Sequence, residues 1–236
     1  MEPGSGSRAL ERYAWIGGIL YVVALVAEAV ISAGYKLSQD DSAAKIAHSL
    51  DDHRKSLIVV FSLSILYAVG FVIWLTRLDD LLRRSSGGRR FFASWVLIGG
   101  VLFVALHSVS DIGIYALLAG KVASYAAQQD NGLAYTLYLL TYALDSVADV
   151  FGSLFMLAAG LQIVTARPLP RWLGWIGIAA APFLFFQAFG LGGVVATFGL
   201  ALDLIGFVLL LVFVAATSVA GLRRSASEAD SPLPAG

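Results

Sequence analysis

Cysteine is missing from all 236 positions, so disulfides, thiol nucleophiles and cysteine-ligated zinc or iron–sulfur centres are excluded together. Charge is scarce as well. Only 14% of residues are Asp, Glu, Lys or Arg, against about 25% in a typical soluble domain, too few to cover a water-facing surface. Neither sign is in excess: 16 basic residues balance 16 acidic ones, which excludes nucleic-acid binding by bulk positive charge. Histidine occurs three times, too seldom for a histidine-rich metal or hydrolase centre. No Gly-x-Ser-x-Gly elbow, Walker loop, His-Glu-x-x-His pair or dinucleotide fingerprint is present, so neither a catalytic residue nor a cofactor is predicted. What is abundant is apolar: 58% of residues are hydrophobic and the mean hydropathy is +0.80.

A bilayer-spanning helix needs about 20 mostly apolar residues. Six segments qualify, at 13–35, 56–76, 92–118, 133–165, 172–190 and 198–221, which predicts an all-α, polytopic bundle of six transmembrane helices. The last two are separated by Gly190-Leu191-Gly192-Gly193, a tight-turn composition. With the N-terminus inside, the inner segments carry Arg8, Arg12, Arg77, Arg83, Arg84, Arg89, Arg90, Arg167, Arg171, Arg223 and Arg224. The outer ones carry Lys36, Lys45, Arg54, Lys55 and Lys121. Eleven against five places both termini in the cytoplasm and the chain, multi-pass, in the inner (plasma) membrane. The first span exceeds a signal-peptide h-region and contains Glu28, so it is read as an uncleaved helix. Residues 1–10 and 223–236, rich in Gly, Ser, Pro and Ala, are expected to be disordered tails around a 11–222 membrane domain. Between the first two spans, Ser38-Gln39-Asp40-Asp41 resembles a capping box, and Ala43, Ile46, Ala47 and Leu50 follow at helical spacing. A short amphipathic helix over about 41–52, lying on the outer surface, is expected. The expected partners are the lipid bilayer itself and anionic headgroups at the arginine-rich inner loop 77–91.

Three tryptophan–glycine segments, Trp15-Ile16-Gly17-Gly18, Trp95 to Gly100 and Trp172 to Gly177, each open an odd-numbered span at its inner end. Interfacial tryptophan and packing glycine explain them without a repeat.

Ionisable side chains are costly inside a bilayer and normally face the protein interior or water. Six lie within the predicted spans: Glu28, His107, Asp111, Asp145, Asp149 and Asp203. Counted from the flanking inner arginines at 1.5 Å per residue, they sit about 24–33 Å away, in the outer third. His107 and Asp111 are four apart, as are Asp145 and Asp149, which stacks each pair on one helix face. Small residues beside them, such as Gly152, Ser153, Gly199 and Gly206, mark helix–helix contacts. The economical arrangement gathers the first, third, fourth and sixth spans around an outward-opening polar pocket. Its carboxyl groups must be protonated, hydrated, or offset by a cation or an outer base such as Lys36, Arg54 or Lys55. If the pocket holds a metal, His107, Asp111, Asp145 and Asp149 are the ligand candidates.

Gly18-Ile19-Leu20-Tyr21, the stretch Asp41 to Ala47 followed by Asp52-His53-Arg54, and Leu169-Pro170-Arg171-Trp172-Leu173-Gly174-Trp175 together span most of the chain. In order and spacing they resemble a group of uncharacterised bacterial, especially actinobacterial, integral membrane proteins classed as a domain of unknown function. The resemblance implies six helices in the inner membrane and no established activity. The leading expectation is a non-enzymatic interaction or envelope-associated component with an outward-facing acidic pocket. The alternatives are a small proton- or cation-coupled transporter using Glu28, Asp111, Asp145, Asp149 and Asp203, and a metal-dependent intramembrane enzyme.

Overall fold

The structure is a computed structural model that describes residues 5–35, 37, 38, 40–85, 90–120, 131–188 and 199–230, with side chains placed for all of these except 5–11, 90, 199–203 and 227–230. The described residues are helical apart from short turns. Helix α1 is Ser5–Ser32, α2 is Ala43–Asp52 and α3 is Arg54–Ser85. Helix α4, Arg90–His107, runs through a π-helical segment, Ser108–Ile114, into α5, Tyr115–Ala119. Helices α6, Asn131–Ala166, α7, Arg171–Gln187, and α8, Gly199–Asp230, complete the chain.

Among the described residues five helices are long and apolar enough to cross a membrane: Arg12–Tyr35, Arg54–Ser85, Phe91–Ala119, Asn131–Ala166 and Leu204–Ala226. Their outward faces carry exposed Val30, Leu66, Val147 and Leu204, as lipid-facing helices do. These features mark a multi-pass membrane protein. The segment expected at 172–190 forms α7, whose 17 residues make a helix about 25 Å long. Helices also reach beyond two expected boundaries: α1 starts at Ser5 and α8 continues to Asp230, so helical backbone enters both segments read as tails. Hydrogen bonding within a helix propagates at little cost once the membrane-length core has nucleated it. The glycine-rich turn at 190–193 lies outside the described residues.

The long helices pack as an up-and-down ring in chain order: α1 on α3, α3 on α4, α4 on α6, α6 on α7, α7 on α8, and α8 back on α1. Two crossings are so close that only glycine fits. A Cβ on Gly17 would come within 2.6 Å of the Gly70 carbonyl oxygen, and one on Gly70 within 2.6 Å of that of Gly17. At the α6–α7 crossing, a Cβ on Gly160 would meet the Gly174 carbonyl oxygen at 2.6 Å. Such small-residue contacts substitute for the hydrophobic drive that lipid removes. The tryptophan–glycine segments do not share one environment: Trp15 is buried, whereas Trp95 and Trp172 are exposed.

An aromatic block fills the ring. Phe71 packs against Tyr21, Trp74, Phe103 and Phe155, with centroids 5.0–5.9 Å apart. Trp74 and Phe155 in turn meet Phe213 at 6.3 and 6.2 Å. These rings come from α1, α3, α4, α6 and α8, so the block ties the ring together.

A second apolar cluster lies at the α2 end. Ile46, Ala47 and Leu50 of α2 are buried with Tyr35, Leu57, Val60, Ile114, Leu118, Ala134 and Tyr138. Helix α2 therefore exists where its periodicity placed it, but it packs on the bundle rather than lying free on the surface. Its N-cap is Ser42, whose side chain accepts from the Lys45 amide at 3.3 Å. The expected box residues form a separate turn, in which the Ser38 amide donates to Asp41 Oδ2 at 2.9 Å. Arg54 Nε donates to the Ala119 carbonyl at 2.7 Å, capping α5 as a C-terminal cation does.

Candidate functional site

Between the aromatic block and the α2 cluster lies a polar layer. Glu28, one turn before the end of α1, is 8% exposed and accepts a hydrogen bond from Ser64 Oγ of α3 at 3.2 Å. Three residues on, on the same face of α3, the Tyr67 hydroxyl donates a short hydrogen bond to Asp111 Oδ2. Asp111 is 8% exposed and sits in the π-helical segment; its other oxygen faces Ser110 Oγ at 3.5 Å. One face of α3 thus joins an acid from α1 to an acid from the π segment. Helical segments of this kind carry an extra residue per turn and recur at functional sites.

His107 and Asp111 each also find a partner on another helix. His107 turns toward α6, its Nε2 4.0 Å from Asp145 Oδ1, while Asp111 turns toward α3. His107 Nδ1 donates to the Phe103 carbonyl at 3.2 Å, which leaves Nε2 to face the carboxyl group. Asp145 Oδ1 is buried and has no hydrogen-bond partner among the described residues. Asp149, one turn along α6 and 5% exposed, lines a separate cavity of about 70 Å³ with Tyr21, Tyr67, Phe103, His107 and Gln187. All six long helices contribute to that wall. The volume admits a few water-sized groups, and the buried Gln187 Oε1 in its wall has no hydrogen-bond partner.

Of the six sequence-predicted residues, the structure brings Glu28, His107, Asp111, Asp145 and Asp149 into this layer and splits them between the α3 face and the α6 face. The side chain of Asp203 lies outside the described residues. Among the described residues no three His, Asp or Glu side chains converge as metal ligands would. Arg54, expected as a compensating outer base, is directed to the Ala119 carbonyl. Lys36 and part of the inner loop, 86–89, lie outside the described residues.

The grouping of four spans missed α3 and α7. Helix α3 has no ionisable residue at this depth, yet supplies Ser64 and Tyr67; α7 supplies Leu184 and Gln187. A signal was present in α3: Ser64, Tyr67, Phe71 and Trp74 recur at three- and four-residue spacing, a face of one serine and three aromatics that is buried throughout.

Residues 16–221 match the family described as Domain of unknown function (DUF4386). The chain belongs to that family. No curated protein and no solved structure matches it. Membership therefore agrees with the resemblance drawn from the sequence and leaves the geometry of the polar layer to carry the functional reading.

Proposed function

We propose that this DUF4386 protein is a six-span inner-membrane protein, with both termini cytoplasmic, that serves as a non-enzymatic interaction or envelope-associated component. Its acidic pocket receives small polar or cationic groups from the outer side and does not conduct them across. One observation carries this reading. The cavity lined by His107 and Asp149 is bordered by Tyr21 and Phe103, which pack on Phe71 of the aromatic block, and that block of apolar rings stands against a conducting path. Helix α7, short as it is, packs between α6 and α8, which supports counting it as the sixth span. A transporter reading would require this block to part.

The natural absence of cysteine makes the test direct. Single-cysteine variants report topology and access without background. Asp145→Cys should react with a membrane-impermeant methanethiosulfonate applied outside, and Phe213→Cys should resist it from either side. Proteoliposomes should show no proton, sodium or potassium flux above empty vesicles. A flux that Asp111→Asn abolishes would install the transporter reading instead.

A further inference from the structure

At the arginine end, a groove of about 930 Å³ runs between α8 and the turn that joins α6 to α7. Its two ends differ chemically. One end is lined by Arg167, Arg223 and Arg224, and no Asp or Glu is among the lining residues. Neither Arg167 nor Arg223 has an ion-pair partner among the described residues, and both are exposed. The wall beyond them is apolar: Val212, Ala215, Ala216, Val219 and Ala220 recur at three- and four-residue spacing, so they form one face of α8. That face is about 12 Å long and runs from beside the arginines into the apolar stretch of the helix. Trp172, exposed at the rim, is an amphipathic residue of the kind found at headgroup depth.

The charged end is also held in shape. Arg224 Nη1 donates to the Pro168 carbonyl at 2.9 Å, which ties α8 to the turn. Pro168 and Pro170 fix the turn's backbone. Arg167 takes a φ of +58°, a left-handed conformation uncommon outside glycine, and so closes α6 with its guanidinium at the groove. A site whose cations are ordered in advance loses less entropy on binding.

We infer that this groove binds one anionic phospholipid, its phosphate against Arg167 and Arg223 and an acyl chain along the Val212–Ala220 face of α8. The charge pattern matches a phosphodiester, since planar guanidiniums recognise phosphate oxygens in pairs. A free phosphate ion would occupy the charged end alone and leave the apolar face without a role. The lipid engages both ends, and its supply in the adjoining leaflet is constant. The site is distinct from the acidic pocket, and it differs from the inner loop at 77–91, where Arg83 and Arg84 are paired with Asp79 and Asp80.

The test titrates the delipidated full chain in detergent with phosphatidylglycerol or phosphatidylcholine of identical acyl chains, with bound lipid counted by native mass spectrometry. Phosphatidylglycerol should bind at least about tenfold more tightly than phosphatidylcholine. The double variant R167Q/R223Q should remove about tenfold or more of that affinity and leave phosphatidylcholine unchanged. Val219→Trp, a change at an exposed position that keeps every arginine, should also weaken phosphatidylglycerol binding by filling the apolar wall. Equal binding of the two lipids overturns the inference, as does an equal loss in R83Q/R84Q. If millimolar inorganic phosphate displaces the lipid while Val219→Trp binds as the parent does, the groove is an anion site and the lipid assignment fails. Should R167Q/R223Q not fold, Val219→Trp and the lipid comparison still decide.

Discussion

The two ends of the bundle use their few charges in opposite ways. At the arginine end, Arg83 meets Asp79 at 2.7 Å, while Arg84 and Arg77 each meet Asp80 at 2.8 Å. Every pair is three or four residues apart on α3, so each forms with the helix and needs no partner element. At the α2 end, the acids are buried and their contacts cross between helices: Glu28 to Ser64, and Asp111 to Tyr67. A local pair contributes little where it is exposed, as at Arg84–Asp80; buried polar groups, Asp79 among them, contribute much when satisfied and cost much when not. One end forms its pairs within a single helix, whereas the other depends on the whole ring being assembled. The aromatic block separates them.

That contrast can be broken from the ring outward. The largest effect belongs to the backbone crossing on which both ends depend. Gly160→Leu would drive a side chain into the Gly174 carbonyl, and we expect a loss above about 4 kcal/mol, seen as absence of a folded, monodisperse species after detergent extraction. Trp74→Ala, which opens a void in the aromatic block, should cost about 3–5 kcal/mol in reversible unfolding. It should also admit the outside thiol reagent to positions such as Phe213→Cys, joining the two ends. Tyr67→Phe removes the donor to Asp111 and should cost about 1.5–3 kcal/mol. Arg84→Gln at the opposite end should cost less than about 1 kcal/mol. If these last two variants melted alike, the contrast would be lost.

The smallest effect concerns pH. The Lys45 side chain, hydrogen bonded to Asp41 at 2.7 Å, together with the Ser38 amide, holds the Asp41 carboxyl below its ordinary range. Its contribution to the turn before α2 is therefore complete above the unfolded carboxyl value. It is lost only as pH falls through the lower folded value. Amide protection factors over residues 40–46, corrected for the intrinsic pH dependence of exchange, should stay flat from neutral pH down to about 4 and fall below it. Asp41→Asn should be flat throughout.

Much of the architecture is legible in apolar runs, because a membrane span is a matter of length and hydrophobicity within one segment. The helices at 92–118 and 133–165 were expected within a few residues of those found, as was α2 from Ile46, Ala47 and Leu50, whereas α1 begins eight residues before the expected 13 and α3 runs nine residues past the expected 76. The polar layer was legible only where its members ionise. Ser64 and Tyr67 escaped notice because a hydroxyl on an apolar helix reads equally well as packing, and only the partner helix shows what it bonds. The π-helical segment at Ser108–Ile114 had no marker in the residues either. Within it Asp111 bonds to Tyr67 of α3, whereas His107, just before it, faces Asp145 of α6.

By itself, then, the sequence determined which segments are apolar, where arginine stands relative to them, and at what depth the acids fall. Each of these is a property of residues close along the chain. Tertiary structure alone decided that α2 packs on the bundle, that α3 bridges Glu28 and Asp111, that an aromatic block joins five helices, and that Arg167 and Arg223 share a groove. Those are contacts between residues tens to more than a hundred positions apart. They exist only because glycine crossings such as Gly17–Gly70 and Gly160–Gly174 let the helices approach closely enough to make them.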